Sequence, residues 1–257
     1  MAGRMQGSGR PPRIFVPPEQ WGEADVKVRG GDVRYLTRVL RLGPGDAVII
    51  LDGQGRVFAG IIKAIGKDYV SLALTREIDR DTGPAVKVSL FQAIPKGDKM
   101  DFVIQKATEL GADRIVPMVT ERVIVRLEDA KAAKRAERWQ RIAKEASRQC
   151  GRALVPVVEP MLSLEAALER ISPGSVGIMP WEGEEEMSLR RFLDSVNPHP
   201  CRVSIFIGPE GGFGLAEVEA ARAKGVSTVS LGRRILRTET AGMITLALVL
   251  YAFGEIG

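Results

Sequence analysis

Histidine and cysteine are nearly absent from this 257-residue chain: His199 is the only histidine, and Cys150 and Cys201 are the only cysteines, without a CxxC spacing. A Cys/His metal centre needs three or four such ligands, so that class is all but excluded and no metal is expected. A histidine base would have to be His199, which sits in Asn197-Pro-His-Pro200 and reads as an exposed loop residue. So few thiols argue against a disulfide scaffold and fit a reducing compartment, here the cytoplasm. A membrane span is lacking too, because the one long apolar run, Ala241 to Phe253, is too short and reads as a core helix. Residues 1–12 hold arginines and glycines but no apolar h-region, so they read as a flexible lead-in rather than a signal peptide.

What is present is the balance of a soluble globular chain, 45% hydrophobic and 27% charged, able to bury one large core or two modest ones. The net charge of +5 is unevenly placed. Lys131, Lys134, Arg135, Arg138, Arg141, Lys144, Arg148 and Arg152 face only Glu137 and Glu145, leaving the remainder slightly acidic. Ala132, Ala136, Trp139, Ala143, Ala146 and Cys150 form an apolar stripe at helical spacing. The basic residues beside it forgo the i,i+4 pairs that support exposed helices. A solvated basic face is one reading; a surface that meets a polyanion gives the charge a purpose.

Two rhythms divide the chain. From Arg13 to Arg80 short strands (Ala47–Leu51, Arg56–Ala64, Tyr69–Thr75) are joined by tight turns, with one small helix over Asp32–Arg41. This predicts a small barrel over 13–80. Asp79-Arg-Asp-Thr-Gly-Pro84 reads as a linker. Over 85–257 strands alternate with helices: strands at 86–92, 114–119, 175–179, 203–207 and 226–231, helices at 98–110, 131–150, 215–224 and 238–253. Such alternation predicts an α/β domain, a mostly parallel sheet with helices on both faces.

The chemistry concentrates near the carboxyl end. Ile205-Phe-Ile-Gly-Pro-Glu-Gly-Gly-Phe-Gly214 reads as a strand running into a glycine-rich loop. Leu231-Gly-Arg-Arg-Ile-Leu-Arg-Thr-Glu-Thr-Ala241 reads as a polar loop opening an apolar helix, with Thr238 as its N-cap. Two loops at neighbouring strand ends make a cofactor pocket. Glu210 stands where a dinucleotide fingerprint needs its second glycine, and no Gly-Lys-Ser/Thr follows as in a P-loop. A carboxylate there also repels phosphate. A plain strand-to-helix turn is the alternative. The segment opening Pro95-Lys-Gly-Asp-Lys-Met-Asp101, with Lys96, Lys99, Gln105 and Lys106, adds polar residues at another strand-to-helix junction.

Together these motifs resemble the SPOUT class of RNA methyltransferases, in particular the RsmE family of 16S rRNA uracil-N3 methyltransferases. The resemblance rests on Arg13-Ile-Phe-Val16, Leu36 to Asp46, Lys96 to Gly111, Arg138-Trp139, Glu145 to Arg152 and the two carboxyl-terminal loops, and it covers the chain beyond Pro12 in order. It implies a PUA-like barrel for RNA, a SPOUT-type α/β domain with a trefoil knot, a homodimer, and methylation of uridine 1498 in 16S rRNA of the small ribosomal subunit. It implies S-adenosyl-L-methionine held by Ile207, Gly208, Glu210, Gly212, Leu231, Gly232, Leu236, Arg237, Thr238 and Thr240, with Met179 and Trp181 lining the pocket. RNA contacts are expected at Arg13, Arg38, Arg41, Lys96, Lys99, Arg138, Arg148 and Arg152. Arg34-Tyr35 and Arg233 depart from the family, which carries histidine near the first and proline at the second.

Uracil N3 carries a proton at neutral pH. Arg237 is expected to stabilise the developing anion, and Glu239 to orient it or take the proton. Two other functions fit parts of the sequence: an RNA-binding factor without catalysis, and a nucleotide-dependent oxidoreductase, which the broken fingerprint disfavours.

Overall fold

β-branched and aliphatic residues at alternate positions build the amino-terminal half of the computed structural model, which describes residues 11–22, 25–80, 83–123 and 129–257. The expected lead-in lies, through residue 10, outside the described residues. The chain divides into two compact units, Met1–Gly83 with Ser147–Val155, and Pro84–Ala146 with Pro156–Gly257.

The first unit is a curled five-stranded sheet of β1 (Arg13–Phe15), β2 (Asp25–Arg29), β3 (Ala47–Leu51), β4 (Arg56–Ile65) and β5 (Tyr69–Arg80). Its order is β1-β3-β4-β5-β2, with β1 parallel to β3 and the rest antiparallel. Register shifts along the β4–β5 pair supply the curl. Ile14, Val26, Val28, Ile50, Ile62 and Leu72 fill the inside. Gly60 lets β3 and β4 pack closely, since a Cβ there would fall 2.6 Å from Ile50 Cδ1. The end of the long basic helix joins this unit: Arg13 donates to the Gly151 carbonyl at 2.8 Å, and Ala153 packs with Phe15, Leu51 and Val57.

Two expectations change here. β5 runs on to Arg80, so the linker reading fails for Asp79 and Arg80; pairing with Val57 and Arg56 supplies backbone bonds that composition does not signal. The single helix over Asp32–Arg41 is instead α1 (Gly31–Arg34) followed by a π-helical turn over Tyr35–Val39. The Thr37 hydroxyl donates to the Val33 carbonyl at 2.7 Å, the side-chain-to-backbone bond that loosens a helix. Leu42 N–H then reaches back to Leu36 O, leaving Arg41 at φ +55°, a conformation that favours glycine.

The second unit is a parallel seven-stranded sheet ordered β12-β10-β11-β6-β7-β8, with β9 also on β7. Its strands are β6 (Lys87–Ala93), β7 (Arg114–Val119), β8 (Val157–Val158), β9 (Leu162–Ser163), β10 (Val176–Pro180), β11 (Arg202–Ile207) and β12 (Val226–Val229). The helices are α2 (Lys99–Leu110), α3 (Asp129–Cys150), α4 (Leu164–Leu168), α5 (Leu189–Ser195), α6 (Leu215–Ala223) and α7 (Thr238–Ala252). The strand interiors are mostly apolar, as in strands covered on both faces, with Ser89 and Gln92 in β6 and Ser204 in β11 as polar exceptions. Trp139, Ala143 and Ala146 of the expected stripe on α3 are buried, whereas Cys150 is exposed. α7 is not wholly a core helix. Leu246, Val249 and Leu250 are buried, but Ile244, Leu248 and Tyr251 are 43%, 44% and 66% exposed. Because β11, β10 and β12 are neighbours and parallel, the loops after them open side by side.

The β3–β4 turn depends on one buried carboxylate. Asp52 accepts from the N–H groups of Gln54 (2.8 Å) and Arg56 (2.9 Å) and from Arg56 Nε (2.7 Å). Asp52→Ala strands two backbone donors, so urea unfolding of this unit should show a loss of about 2–3 kcal/mol. An unchanged midpoint would mean the turn holds without it.

Candidate active site

Loop 1 follows β11 and is fastened along its length. Gly212 takes φ +67° with open space where a Cβ would stand, and its N–H bonds to Pro209 O at 2.9 Å. Gly208 is crowded, a Cβ lying 3.3 Å from the Gly212 carbonyl carbon. Arg122 Nη1 holds the Gly211 carbonyl at 2.7 Å. At the far end buried Glu217, in the first turn of α6, accepts from Gly214 N and Glu121 N, both at 2.8 Å. The Glu210 carboxylate accepts from Lys96 N at 3.0 Å and lies 3.6 Å from Lys99 Nζ. Burial alone would raise its pKa, but its own and the Lys96 backbone N–H and the Lys99 charge outweigh that and hold it below the ordinary value.

Loop 2 follows β12 and leads into α7. Gly232 takes φ +102°, again with open space at its Cβ position, and Ile235 is 78% exposed. Arg237, not Thr238, is the N-cap residue of α7. Thr238 is the first helical residue, and its buried hydroxyl does a different job from capping. It donates to the Gly208 carbonyl of loop 1 at 2.5 Å and accepts from Gln92 Nε2 at 2.9 Å. Glu239, one residue on, lies 3.3 Å from Lys99 Nζ, so one ammonium links the carboxylates of both loops.

The segment after β10 makes a third wall. Glu184 accepts from Thr228 Oγ1 at 2.6 Å and from the N–H groups of Met187 (3.0 Å) and Glu186 (3.1 Å). The Thr228 hydroxyl first, then the Met187 N–H, hold its carboxyl below the usual range. Arg222 bridges Thr228 and Glu184 and lies 5.6 Å over the Trp181 ring.

These walls enclose a cavity of about 840 Å³. Ile207, Gly208, Glu210, Gly212, Leu231, Gly232, Leu236, Arg237 and Thr238 all line it, as does Trp181. Met179 is fully buried in the core, and Thr240 is exposed and outside the lining. Glu239 is likewise outside the lining, reached through Lys99. Sequence reasoning misses Glu182, Glu184 and Glu185 on the third wall; the acidic run after Trp181 is the available signal. It also misses Gln92, which no local pattern marks. The lining suits a cationic adenosyl donor: open glycine positions for a flat ring, apolar Ile207, Phe213 and Leu236, and several carboxylates. Among the described residues no cluster of metal-ligating side chains occurs, and no helix is long and apolar enough to cross a membrane.

The expected RNA contacts fall in both units. In the first, Arg38 and Arg41 are exposed, Arg13 is engaged with Gly151, Arg152 is half-buried, and Arg148 lies 4.2 Å over the Tyr35 ring. In the second, Lys96 is exposed, Lys99 is held by two carboxylates, and Arg138 is ion-paired with Asp101.

Comparison with known proteins gives the same division. A family described as an RNA methyltransferase domain matches residues 82–250, and one described as an RNA methyltransferase PUA domain matches residues 28–75. The class that fold and site define is thus the RNA methyltransferases. The chain is 35% identical over 242 residues to ribosomal RNA small subunit methyltransferase E of Bacillus subtilis, covering 93% of this chain and 94% of that one. It is 35% identical over 236 residues to the enzyme of the same name from Synechocystis, covering 91% and 76%. A crystal structure of ribosomal RNA small subunit methyltransferase E from Neisseria gonorrhoeae bound to S-adenosyl methionine superimposes with a TM-score of 0.83 at 32% identity, over 94% of this chain and 97% of that one. The chain belongs to the ribosomal RNA small subunit methyltransferase E family, the RsmE family to which the motifs pointed.

The lowered Glu210 pKa has a testable sign. A carboxyl depressed in the folded state stabilises above its ordinary pKa, and that stabilisation disappears as pH falls through the lowered value. Glu210→Gln should therefore melt below the wild type at pH 7, with the gap closing as pH falls below the ordinary carboxylate range. A gap that persists unchanged in acid would deny the carboxylate this role.

Proposed function

We propose that the protein transfers a methyl group from S-adenosylmethionine to N3 of a uridine in the RNA of the small ribosomal subunit. The observation that carries this reading is the pocket of two glycine-turned loops with Glu210 on the first of them, which favours a cation over phosphate. The donor supplies an electrophilic methyl on a sulfonium. Ile207, Gly208, Glu210, Gly212, Leu231, Gly232, Leu236, Arg237 and Thr238 would hold it; Met179 supports the floor from within the core, and Thr240 has no place in the lining.

The chain's own residues then have to deliver a deprotonated uracil. Arg237 is exposed at the mouth of the cavity, where its fixed charge can stabilise the negative charge that develops on the uracil ring. Glu239, oriented by Lys99, is the group to position Arg237 or receive the N3 proton. Holding donor and base on one rigid sheet edge supplies the remaining advantage by orientation.

In this reading residues 13–80 bind RNA, residues 85–257 carry the methyltransferase with its trefoil knot, and the enzyme works in the cytoplasm. Arg41 supports the RNA contact: an arginine kept where glycine is favoured implies a use for its side chain. The exposed strip Ile244, Leu248 and Tyr251 supports a homodimer, because apolar side chains repeating along one helix face mark an interface.

Two outcomes are expected. Arg237→Ala should lower methyl transfer to small-subunit RNA by about 100- to 1,000-fold in kcat; mapping of methylated uridines reads this, and near-normal turnover would remove Arg237 from the mechanism. Leu248→Glu should convert a dimer to a monomer in light scattering. A dimer that survives the charge would place the interface elsewhere.

A further inference from the structure

Gln92, on β6, does not line the cavity and belongs to none of the motifs, yet its side-chain amide is completely buried. Its orientation is fixed by its neighbours. One end lies 3.0 Å from the Ala93 carbonyl, which can only accept, so that end is the NH₂. The second N–H of that group goes to Thr238 Oγ1 at 2.9 Å. Occupying this lone pair turns the single hydroxyl proton of Thr238 onto the Gly208 carbonyl.

Keeping the amide there carries two costs. Gln92 Oε1 is buried without a hydrogen-bond partner. It also lies close to α7, where a Cβ at Gly242 would come within 2.9 Å of it, so a larger residue there would have to displace the amide. An apolar side chain of the same length would avoid the first. The remaining benefit is the chain Gln92–Thr238–Gly208, which ties the start of loop 1 to the end of loop 2.

We infer that Gln92 is a positioning residue for the methyl donor: by directing the Thr238 proton onto Gly208 it fixes the spacing of the two loops. The inference rests on the proposed function, since it assigns the pair of loops to S-adenosylmethionine. Loop 1 has further fastenings at Glu210, Gly211 and Gly214, so the fold survives loss of this one. What changes is the match of loop 2 to the donor.

The test compares Gln92→Met, Thr238→Val and the double variant with the wild type, in full-length protein. Calorimetry with S-adenosylmethionine should show about tenfold weaker binding for each single variant, the double variant being no worse than either. The donor-free melting temperature of Gln92→Met should stay at the wild-type value, and methyl-transfer kinetics should show a raised KM for the donor with kcat preserved at saturation. Should Gln92→Met fail to fold, Gln92→Leu, which also lies outside the lining, makes the same comparison. Wild-type affinity in Gln92→Met or Thr238→Val, or losses that add in the double variant, would overturn the inference alone. Absence of donor binding by the wild-type protein would overturn the functional reading as well.

Discussion

The 2.5 Å hydrogen bond from the Thr238 hydroxyl to the Gly208 carbonyl is the contact on which the pocket depends. Loops 1 and 2 leave β11 and β12, strands that are not neighbours because β10 lies between them. Sheet pairing therefore fixes how far apart the two strand ends stand, but not how the loops beyond them close on each other. A side-chain bond has to draw the loops together, and Thr238 is placed for it because it opens α7, directly after loop 2. The third wall comes from the strand in between, through Trp181 and the Glu184 network. Three adjacent strand ends thus give three walls, and the Thr238 hydroxyl, with the Lys99 ammonium, ties two of them together.

Charge then selects the ligand. Glu182, Glu184, Glu185 and Glu210 line the cavity beside Arg233, Arg234 and Arg237. Glu184 is held by Thr228, backbone donors and Arg222, and Glu210 by Lys96 and Lys99, so both carboxylates are fixed in place with their charge partly offset. Fixed carboxylates stabilise a positively charged sulfonium and oppose a pyrophosphate. The arginines sit on the opposite loop, where negative charge on uracil or an RNA backbone would arrive. The pocket is in this sense divided, one side for a cation and one for an anion.

Much of this is legible in the sequence, for physical reasons that also mark the limit. The strands of the second unit can be read because both their faces are covered, which leaves apolar runs such as Val203 to Ile207, interrupted only by Ser204. The glycine turns at Gly208, Gly212 and Gly232 stand out because left-handed or crowded backbone tolerates little else. The two-residue strands β8 and β9 and the short helices α4 and α5 cannot be read, since none is long enough to display a period. The π-helical turn at Tyr35–Val39 is hidden because five residues are too few to display a period. The local setting of Thr238 marks it as a cap, and only the tertiary partners Gly208 and Gln92 reveal its use. Gln92 itself lies inside an apolar strand and gives no signal, as is usual for a residue whose role is set by something more than a hundred positions away in the chain.

The central claim is that the crevice between loops 1 and 2 holds a sulfonium methyl donor. A crystal of the protein soaked with S-adenosylmethionine tests it most directly. The account predicts density for the adenosyl group between Gly208–Gly212 and Leu231–Leu236, with the methyl group turned toward Arg237. Density at another place on the molecule, or an empty crevice at saturating donor, would contradict it.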